Sequence, residues 1–242
     1  MTTLARHKEI FDFSDVGTDV HSHILPGLDD GAQTLDESVQ CVKALMDIGF
    51  RKLIMTPHIN LDYFYNTEDD IRKCLVLLQD EINRLGLNVE TEAAGEYYLD
   101  YNFRQKIDAG SLLTFGSKYV LFELSYLNPS DFIYEVIFQL QTSGYKPVLA
   151  HPERYAYWHS SFDTYKELRD RGVLFQMNVV SLTGAYSAEA RRISEKLIQN
   201  EMVDFIGSDL HNLNFAAAMK FMLSNKYLRK LINSGNLLNA SV

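Results

Sequence analysis

The stretch Asp19-Val20-His21-Ser22-His23 ends an apolar run with two histidines one residue apart. In a β-strand, residues i and i+2 lie on the same side about 6 to 7 Å apart, so both imidazoles at a strand end can turn toward one ion. Histidine is the commonest metal ligand in proteins. A histidine near an apolar segment is, however, more often a hydrogen-bonded core or surface residue. The pair therefore predicts half of a metal site, which needs further ligands from elsewhere in the chain.

The rest of the chain alternates short apolar or β-branched runs with helical periods, a pattern typical of βα units around a parallel sheet. Seven strands are predicted, at Thr18–His21, Lys52–Met55, Val89–Gly95, Tyr119–Leu124, Pro147–Ala150, Leu174–Val179 and Phe205–Gly207. Helices are predicted from Thr34 to Ile48, Thr67 to Leu85, Pro129 to Gly144, Phe162 to Arg171, Ala188 to Asn200 and Ala216 to Ser234. Seven βα units in 242 residues predict an α/β barrel with one strand fewer than the eightfold TIM form.

Composition indicates one globular domain, which we place at residues 17–242 after a polar lead-in at residues 1–16. Hydrophobic residues make up 46% of the chain, enough to bury a full core. The net charge of −9 argues against nucleic-acid binding and against an anionic membrane surface, because phosphate groups are bound by clustered Lys and Arg. No stretch approaches 18 apolar residues, and the first residues contain no apolar signal-peptide core. We therefore expect a cytoplasmic protein without membrane insertion.

Residues of the types that bind metals follow nearly every predicted strand. In barrels of parallel strands the reacting groups lie at these carboxyl ends of the strands. The candidate metal ligands are His21, His23, Asp30, His58, Glu96, Glu123, His151, Asp209 and His211. The sixth strand instead ends at Asn178, a candidate hydrogen-bonding partner. These carboxylates and imidazoles could not be buried together cheaply without cations. Nine ligands exceed the needs of one ion, so we predict two or three divalent ions, and manganese, iron and zinc all suit such ligands.

This ligand set predicts metal-assisted hydrolysis of a phosphoester, because paired ions lower the pKa of a bridging water and stabilise the charge of a displacement at phosphorus. Catalytic roles are assigned to Arg154, His151, Asp209 and His211. Arg154 follows His151 by three residues, so its guanidinium can hold a phosphate by two parallel hydrogen bonds. The alternative for Arg154 is a surface salt bridge with Glu153 or a neighbouring acid.

Six motifs occur in the order found in the PHP (polymerase and histidinol phosphatase) family: DVHSHILPGLDDG at 19–31, TPH at 56–58, AGEYY at 94–98, FELS at 122–125, AHPERY at 150–155 and GSDLHN at 207–212. The chain resembles in particular the bacterial tyrosine-phosphatase branch of that family, the CpsB- and YwqE-like enzymes. Glu123 and Asp30, where some other PHP phosphatases have histidine, point to this branch. The resemblance implies a single-domain, distorted (β/α)7 TIM-like barrel with a trinuclear site.

The resemblance also implies how three ions share the ligands. One ion would take His21, His23, Glu96 and Asp209, a second would share Glu96 and take Glu123 and His151, and the third would take Asp30, His58 and His211. Asp29 is left as a turn or supporting residue, because adjacent residues seldom both reach one ion. For the whole Asp29-Asp30-Gly31 stretch, a plain turn is the alternative.

The implied function is a metal-dependent phosphomonoesterase acting on protein phosphotyrosine, with manganese as the expected ion. Its expected partner is a cognate bacterial tyrosine kinase of capsule or exopolysaccharide export. The alternatives are a phosphatase of a small metabolite such as histidinol phosphate and a metal-binding scaffold protein without turnover. Relatives carry a phosphate-binding arginine a few residues after the position of His211, near Ala216, whereas this chain reads Leu213-Asn214-Phe215-Ala216-Ala217-Ala218. Six aromatic residues near the expected mouth can stack on an aryl group or pack at the rim: Tyr63, Phe64, Tyr65, Tyr97, Tyr98 and Tyr126.

Overall fold

The computed structural model describes residues 12–242, so residues 1–11 of the predicted lead-in lie outside the described part. The remainder of the lead-in packs against the domain through a short 3-10 helix at Phe13–Asp15. The Phe13 ring is fully buried and stacks on Phe50, with the ring centroids 4.8 Å apart. This core contact attaches the segment that precedes the first strand.

Within residues 12–242, nine strand segments form the wall of the fold. They are β1 (Thr18–Asp19), β2 (Lys52–Met55), β3 (His58–Ile59), β4 (Glu90–Ala93), β5 (Glu96–Tyr98), β6 (Tyr119–Glu123), β7 (Lys146–Ala150), β8 (Leu174–Asn178) and β9 (Phe205–Gly207). They pair in the orders β1-β2-β4 and β3-β5-β6-β7-β8-β9. Every one of these pairings is parallel. The parallel α/β class predicted from the sequence is confirmed.

The two sheets are consecutive parts of one curled wall. Strands β2 and β3 are separated by Thr56-Pro57, where the proline has no N–H for the ladder. Strands β4 and β5 are likewise separated by two residues, Ala94-Gly95. Glu96 N donates to Pro57 O at 3.1 Å, so the two interrupted strand positions stay adjacent. At the open edges, Asp209 N donates to His21 O at 2.8 Å, which brings the ends of β9 and β1 together. Seven strand positions therefore surround the core, as the seven predicted strands require.

Residues 12–242 contain eight α-helices. They are α1 (Leu35–Asp47), α2 (Glu68–Arg84), α3 (Tyr101–Ala109), α4 (Ile133–Thr142), α5 (Asp163–Asp170), α6 (Ala188–Gln199), α7 (Leu213–Met222) and α8 (Lys226–Asn233). The first two helices begin at capping residues, because the Thr34 side chain accepts a hydrogen bond from Glu37 N and the Thr67 side chain accepts one from Asp70 N. No helix of the described residues has the length and apolar character needed to span a bilayer.

Two helix predictions were wrong. The single last helix predicted at 216–234 is two helices, α7 and α8, because the Asn225 side chain accepts hydrogen bonds from Tyr227 N and Leu228 N and so starts a new helix. Helix α3 was not predicted at all. It is polar and nine residues long, and it depends on the Asp100 cap and on Gly110, which ends it in the left-handed conformation.

The barrel interior and the end remote from the site are closed by specific side chains. A buried apolar cluster inside the wall includes Ile54, Leu121, Val148 and Phe205. Below it, Asn239 Nδ2 donates to Thr18 O and Ile206 O at 2.8 Å each, which joins the first and last strands. The packed interior leaves the carboxyl ends of the strands as the place for a site.

Candidate metal centre

All nine predicted ligands lie around one rim, where the carboxyl ends of the strands meet. Six of them line an open cleft of about 540 Å³: Asp30, His58, Glu123, His151, Asp209 and His211. His21, His23 and Glu96 are fully buried beneath it. The ends of strands far apart in the chain thus bring the predicted ligands together, and their distances divide them into three overlapping groups.

The first group lies at the floor of the cleft. Glu96 Oε2 is 3.3 Å from His21 Nε2 and 3.3 Å from His23 Nε2. Asp209 Oδ1 is 3.4 Å and 3.3 Å from the same two nitrogen atoms. The four side chains are those that the family resemblance implies for one ion.

The second group is centred on the same glutamate. His58 Nδ1 lies 3.0 Å from Glu96 Oε2 and 3.1 Å from Glu123 Oε1. His151 Nε2 lies instead 3.0 Å from the other oxygen, Glu96 Oε1. The resemblance implies His151 with the two glutamates, and the geometry places His58 beside them as well, so both imidazoles are candidates for this ion.

The third group lies nearer the cleft opening. Asp30 Oδ1 is 3.4 Å from His211 Nε2 and 3.7 Å from His58 Nε2. His23 offers a ligand atom to the same group, within 4.8 Å of the others. Asp30 is the most exposed of the ligands, with a 60% exposed side chain, so this position is the most accessible to solvent.

Two buried polar atoms at the centre have no hydrogen-bond partner among residues 12–242, namely Glu96 Oε2 and His58 Nδ1. They lie 3.0 Å apart. Burying a carboxylate oxygen costs free energy unless a hydrogen-bond donor or a cation contacts it. Close ligand atoms that make no hydrogen bond to each other therefore indicate a place for a cation, and the nitrogen and oxygen donors fit divalent metal ions.

The charges of the cluster are strongly coupled. Burial opposes positive charge on His21, but the carboxylates of Glu96 and Asp209 outweigh it and raise the pKa of His21. Burial opposes negative charge on Glu96, yet His21 and His58 hold the pKa of Glu96 well below its usual range. Without metal, Glu96 is thus kept ionised and His21 favours its proton, and a cation would replace that proton.

Asp29 supports the ligands from behind, as the sequence suggested. Its Oδ2 atom lies 2.7 Å from His23 Nδ1 and accepts a hydrogen bond from His58 N at 3.0 Å. Because a carboxylate only accepts hydrogen bonds, His23 carries its proton on Nδ1 and directs Nε2 into the cluster. Asp29 Oδ1 also accepts from Gly31 N at 3.0 Å, so the predicted turn and the supporting role are both present.

Comparison with known proteins shows the family of this chain. The model of a family described as capsular polysaccharide synthesis, CpsB/CapC, matches residues 17–236. The chain belongs to the CpsB/CapC family. The tyrosine-protein phosphatase YwqE of Bacillus subtilis (strain 168) is 28% identical over 196 residues, which are 81% of this chain and 77% of that protein. The tyrosine-protein phosphatase CpsB of Streptococcus agalactiae serotype V is 26% identical over 202 residues, covering 81% of this chain and 83% of that protein.

Solved structures confirm the fold of this CpsB/CapC chain. A chain from the crystal structures of YwqE of Bacillus subtilis and CpsB of Streptococcus pneumoniae, described as unique metal-dependent tyrosine phosphatases, superposes with a TM-score of 0.76 at 25% identity, covering 89% of this chain and 94% of that one. The histidinol phosphate phosphatase of Lactococcus lactis superposes with a TM-score of 0.58 at 13% identity, over 91% and 94% of the two chains. The second likeness concerns the fold alone, and together they match the predicted distorted barrel.

Arg154 of this CpsB/CapC chain is held at the cleft by three neighbours. Its guanidinium carbon lies 4.6 Å from the ring centre of Tyr126 and 4.2 Å from that of Tyr186. Its Nη1 donates to Asp209 Oδ2 at 3.1 Å. Glu153, the alternative partner considered from the sequence, is fully buried and accepts hydrogen bonds from Asn178 N and Ser181 Oγ. Among the described residues that line the cleft, Arg154 is the one lysine or arginine.

The aromatic residues of the mouth differ in part from those expected. Tyr63, Phe64, Tyr98 and Tyr126 line the cleft. Tyr97 does not: it is fully buried, stacks on Phe103 and accepts a hydrogen bond from Leu113 N. Two further lining residues were missed by sequence reasoning, Tyr186 and Phe215. Tyr186 lies in a loop without a ligand-type residue, and Phe215 lies in α7, four residues after His211.

Two predicted ligands have strained backbone. His151 and Asp209 have positive φ values of 35° and 48°, in the left-handed region that residues other than glycine seldom adopt. Such strain persists only where the surrounding structure imposes it, and it is common at functional sites. His151 follows β7 directly, and Asp209 follows β9 after Ser208, so both conformations occur where the chain leaves a strand. No residue pattern would have predicted this conformation.

Proposed function

We propose that this CpsB/CapC chain is a metal-dependent protein-tyrosine phosphatase. Its substrate is a phosphotyrosine protein of capsule or exopolysaccharide export, and the partner that fits best is a cognate bacterial tyrosine kinase. One observation carries the proposal: Glu96 Oε2, which is buried and has no hydrogen-bond partner among residues 12–242, lies among converging imidazoles directly beneath a cleft that Arg154 and aromatic rings line. The names of the relatives YwqE and CpsB support the same activity.

We propose that nine residues hold the ions: His21, His23, Asp30, His58, Glu96, Glu123, His151, Asp209 and His211. Divalent cations bound there supply an activated water and neutralise charge on phosphoryl oxygens. Manganese is the proposed ion, with iron and zinc as alternatives, because nitrogen and oxygen ligands without sulfur suit all three.

Arg154 is proposed to bind and orient the phosphate. Asp209 is its one hydrogen-bond acceptor among the described residues, which leaves the other N–H groups of the guanidinium for phosphate oxygens. The two flanking tyrosine rings restrict the guanidinium, so less conformational entropy is lost when a phosphate binds.

The lining aromatic residues are proposed to receive the tyrosine side chain. The ring of Phe64 stacks on His58 with centroids 5.3 Å apart, and Tyr63 is 76% exposed beside it. An aryl group entering the cleft would gain stacking contacts there. A phenolate leaving group, with a pKa of about 10, needs little protonation to depart, so the cleft needs no strong general acid.

The experiment is a side-by-side rate measurement on purified protein loaded with manganese. We expect hydrolysis of phosphotyrosine peptides at a higher kcat/KM than hydrolysis of histidinol phosphate, and loss of both rates on addition of EDTA. Equal activity in the metal-free protein would reject the mechanism. A preference for histidinol phosphate would replace the proposed substrate, and tight phosphopeptide binding without product release would indicate a scaffold protein.

A further inference from the structure

Two buried amide side chains connect two of the proposed metal ligands. Asn178 Nδ2 donates to Asp209 Oδ2 at 2.6 Å, and Gln176 Nε2 donates to Asn178 Oδ1 at 3.0 Å. The remaining amide oxygen, Gln176 Oε1, lies 2.7 Å from His21 Nδ1. Gln176, Asn178 and His21 are fully buried, so water cannot substitute for any of these contacts.

The carboxylate of Asp209 determines the direction of each hydrogen bond that links Asp209, Asn178, Gln176 and His21. A carboxylate only accepts hydrogen bonds, so Asn178 must present its amide nitrogen to Asp209 and its oxygen to Gln176. Gln176 must then present nitrogen to Asn178, which leaves its oxygen for the imidazole. Because an amide oxygen also only accepts, His21 carries a proton on Nδ1 and directs the lone pair of Nε2 into the cluster.

We propose that Gln176 and Asn178 form a relay that sets the tautomer of His21 from the carboxylate of Asp209. Both amides are positioning residues, since neither reaches the cleft where substrate would bind. The inference rests on the proposed metal-dependent function and adds to it how one ligand is made ready for a metal. It also explains why the strand without a ligand-type residue still belongs to the site: Gln176 and Asn178 are both in β8.

Packing around the relay supports this role. Asp209 Oδ2 also accepts hydrogen bonds from Arg154 Nη1 and from the Tyr186 hydroxyl, so this oxygen is engaged and Oδ1 faces the imidazoles. Gly207 makes room for the relay, because a Cβ atom there would lie 2.7 Å from both Gln176 Nε2 and His21 Cβ. A side chain at position 207 would therefore separate the amide from the imidazole.

A simpler role for Gln176 is a local one, in which it only accepts the His21 proton. The substitution Gln176→Glu separates the two ideas. A carboxylate behind a ligating histidine is a common arrangement that raises ligand basicity, so a local role predicts unchanged or tighter metal binding. In a relay, the new carboxylate cannot donate to Asn178. Either the Asn178 oxygen then faces the new carboxylate without a hydrogen bond, or the Asn178 amide rotates and turns its oxygen toward Asp209. In both cases a buried polar contact is lost and metal binding weakens.

The test is a titration of metal-free full-length protein with zinc against a competing chelator, for wild type and Gln176→Glu. We expect binding about 10- to 100-fold weaker in the variant, the range found for residues behind metal ligands. Long-range proton–nitrogen NMR of the zinc-loaded wild type should show His21 protonated at Nδ1. The control Gln79→Glu makes the same chemical change at a glutamine that bonds Thr91, remote from the site, and should leave zinc affinity unchanged.

A double-mutant cycle tests the relay independently, in case the Gln176→Glu variant does not fold. If Gln176 and Asn178 act as one unit, the losses of zinc affinity in Gln176→Ala and Asn178→Ala will not add in the double variant. Additive losses, or zinc affinity in Gln176→Glu equal to or above that of wild type, would overturn the relay. Failure of the wild type itself to bind metal would instead overturn the proposed function, so the two failures are distinguishable.

Discussion

Arg154 donates a hydrogen bond from Nη1 to Asp209 Oδ2 over 3.1 Å. The proposed phosphate-binding residue is thus attached directly to a proposed metal ligand. Asp209 Oδ2 does not depend on this contact alone, since Asn178 Nδ2 lies 2.6 Å away and the Tyr186 hydroxyl 3.2 Å away. The carboxylate should therefore keep its orientation when the guanidinium is removed, and this separates phosphate binding from metal binding.

Replacing Arg154 with alanine should weaken phosphate binding and leave metal content intact. We expect the inhibition constant of inorganic phosphate to rise about 10- to 100-fold, the equivalent of charge-assisted hydrogen bonds of about 1.5–3 kcal/mol. Elemental analysis of the same samples measures the metal. Arg154→Lys keeps the charge without the planar fork and should lie between the two. Loss of metal from Arg154→Ala would show that the residue serves the metal ligands and not the phosphate.

Removing a proposed metal ligand should lower the metal content, in contrast to Arg154→Ala. His151→Ala or Asp209→Ala should remove most phosphatase turnover and also lower the bound metal, because each side chain approaches the centre of the cluster. We expect losses in kcat beyond the about 10- to 100-fold typical of residues behind a ligand. Asp163→Ala, at an exposed carboxylate that pairs with Lys166, is the control and should keep full activity. A ligand variant with wild-type metal content and turnover would remove that residue from the site.

That the proposed ligands lie close together could be predicted from the sequence, because a parallel barrel brings the end of every strand to one rim. His58, Glu96 and Glu123 follow strands that are far apart in the chain, yet each stands at the end of an apolar run. The alternation of apolar runs was therefore enough to place them together. Which imidazole accompanies the two glutamates depends on side-chain distances of 3.0 to 3.1 Å, which no sequence pattern contains.

The residues that support the site were harder to predict, because their roles depend on packing between distant elements. Gln176 is one polar residue within a strand, and its contact with His21 exists only because position 207 is glycine. Tyr186 reaches Arg154 from a loop. Tyr97 was expected near the mouth, but it points into the core because strand residues alternate between the two faces of the sheet.

Chelation should destabilise the folded protein as well as inactivate it. Glu96 and Asp209 are buried carboxylates in close contact with several imidazoles, so ions that bind only the folded state would stabilise it. At a metal concentration 100 times the dissociation constant, one such site contributes about 2.7 kcal/mol. Thermal unfolding with manganese, with EDTA, and with EDTA followed by excess manganese measures the effect. Identical melting temperatures in all three conditions would contradict the binding of metal ions at this site.

Gly31→Ala should disrupt the loop that carries Asp29 and Asp30. A Cβ atom at position 31 would lie 1.8 Å from His23 O, so the loop must move away from the ligand. We expect a loss of stability of about 1–3 kcal/mol, the range for overpacking, together with weaker metal binding. Gly110→Ala is a control for a loss of stability remote from the site: its φ of +65° is unsuited to alanine, but a Cβ atom there has nothing within 4 Å. Both variants should lose stability, and only Gly31→Ala should lose zinc affinity in a chelator competition.

Glu153 should make stability depend on pH in a direction unusual for a carboxylate. Burial raises its pKa from 4.5 to about 7, despite hydrogen bonds from Ser181 Oγ and Asn178 N. The folded protein therefore holds this proton more tightly than the unfolded chain does. The resulting stability is fully present below pH 4.5 and is lost as the pH rises through about 7.

Glu153→Gln should remove this dependence, because glutamine keeps the shape and does not ionise. Relative to wild type, its free energy of unfolding should increase from pH 4.5 to about 7 and then level off, by an amount on the order of 3 kcal/mol. Urea unfolding at a series of pH values in EDTA measures the difference without a metal contribution. Glu189→Gln, at an exposed position, should give a nearly flat difference. A Glu153→Gln difference that falls as the pH rises would mean that the ionised carboxylate stabilises the fold, and that its buried contacts outweigh desolvation.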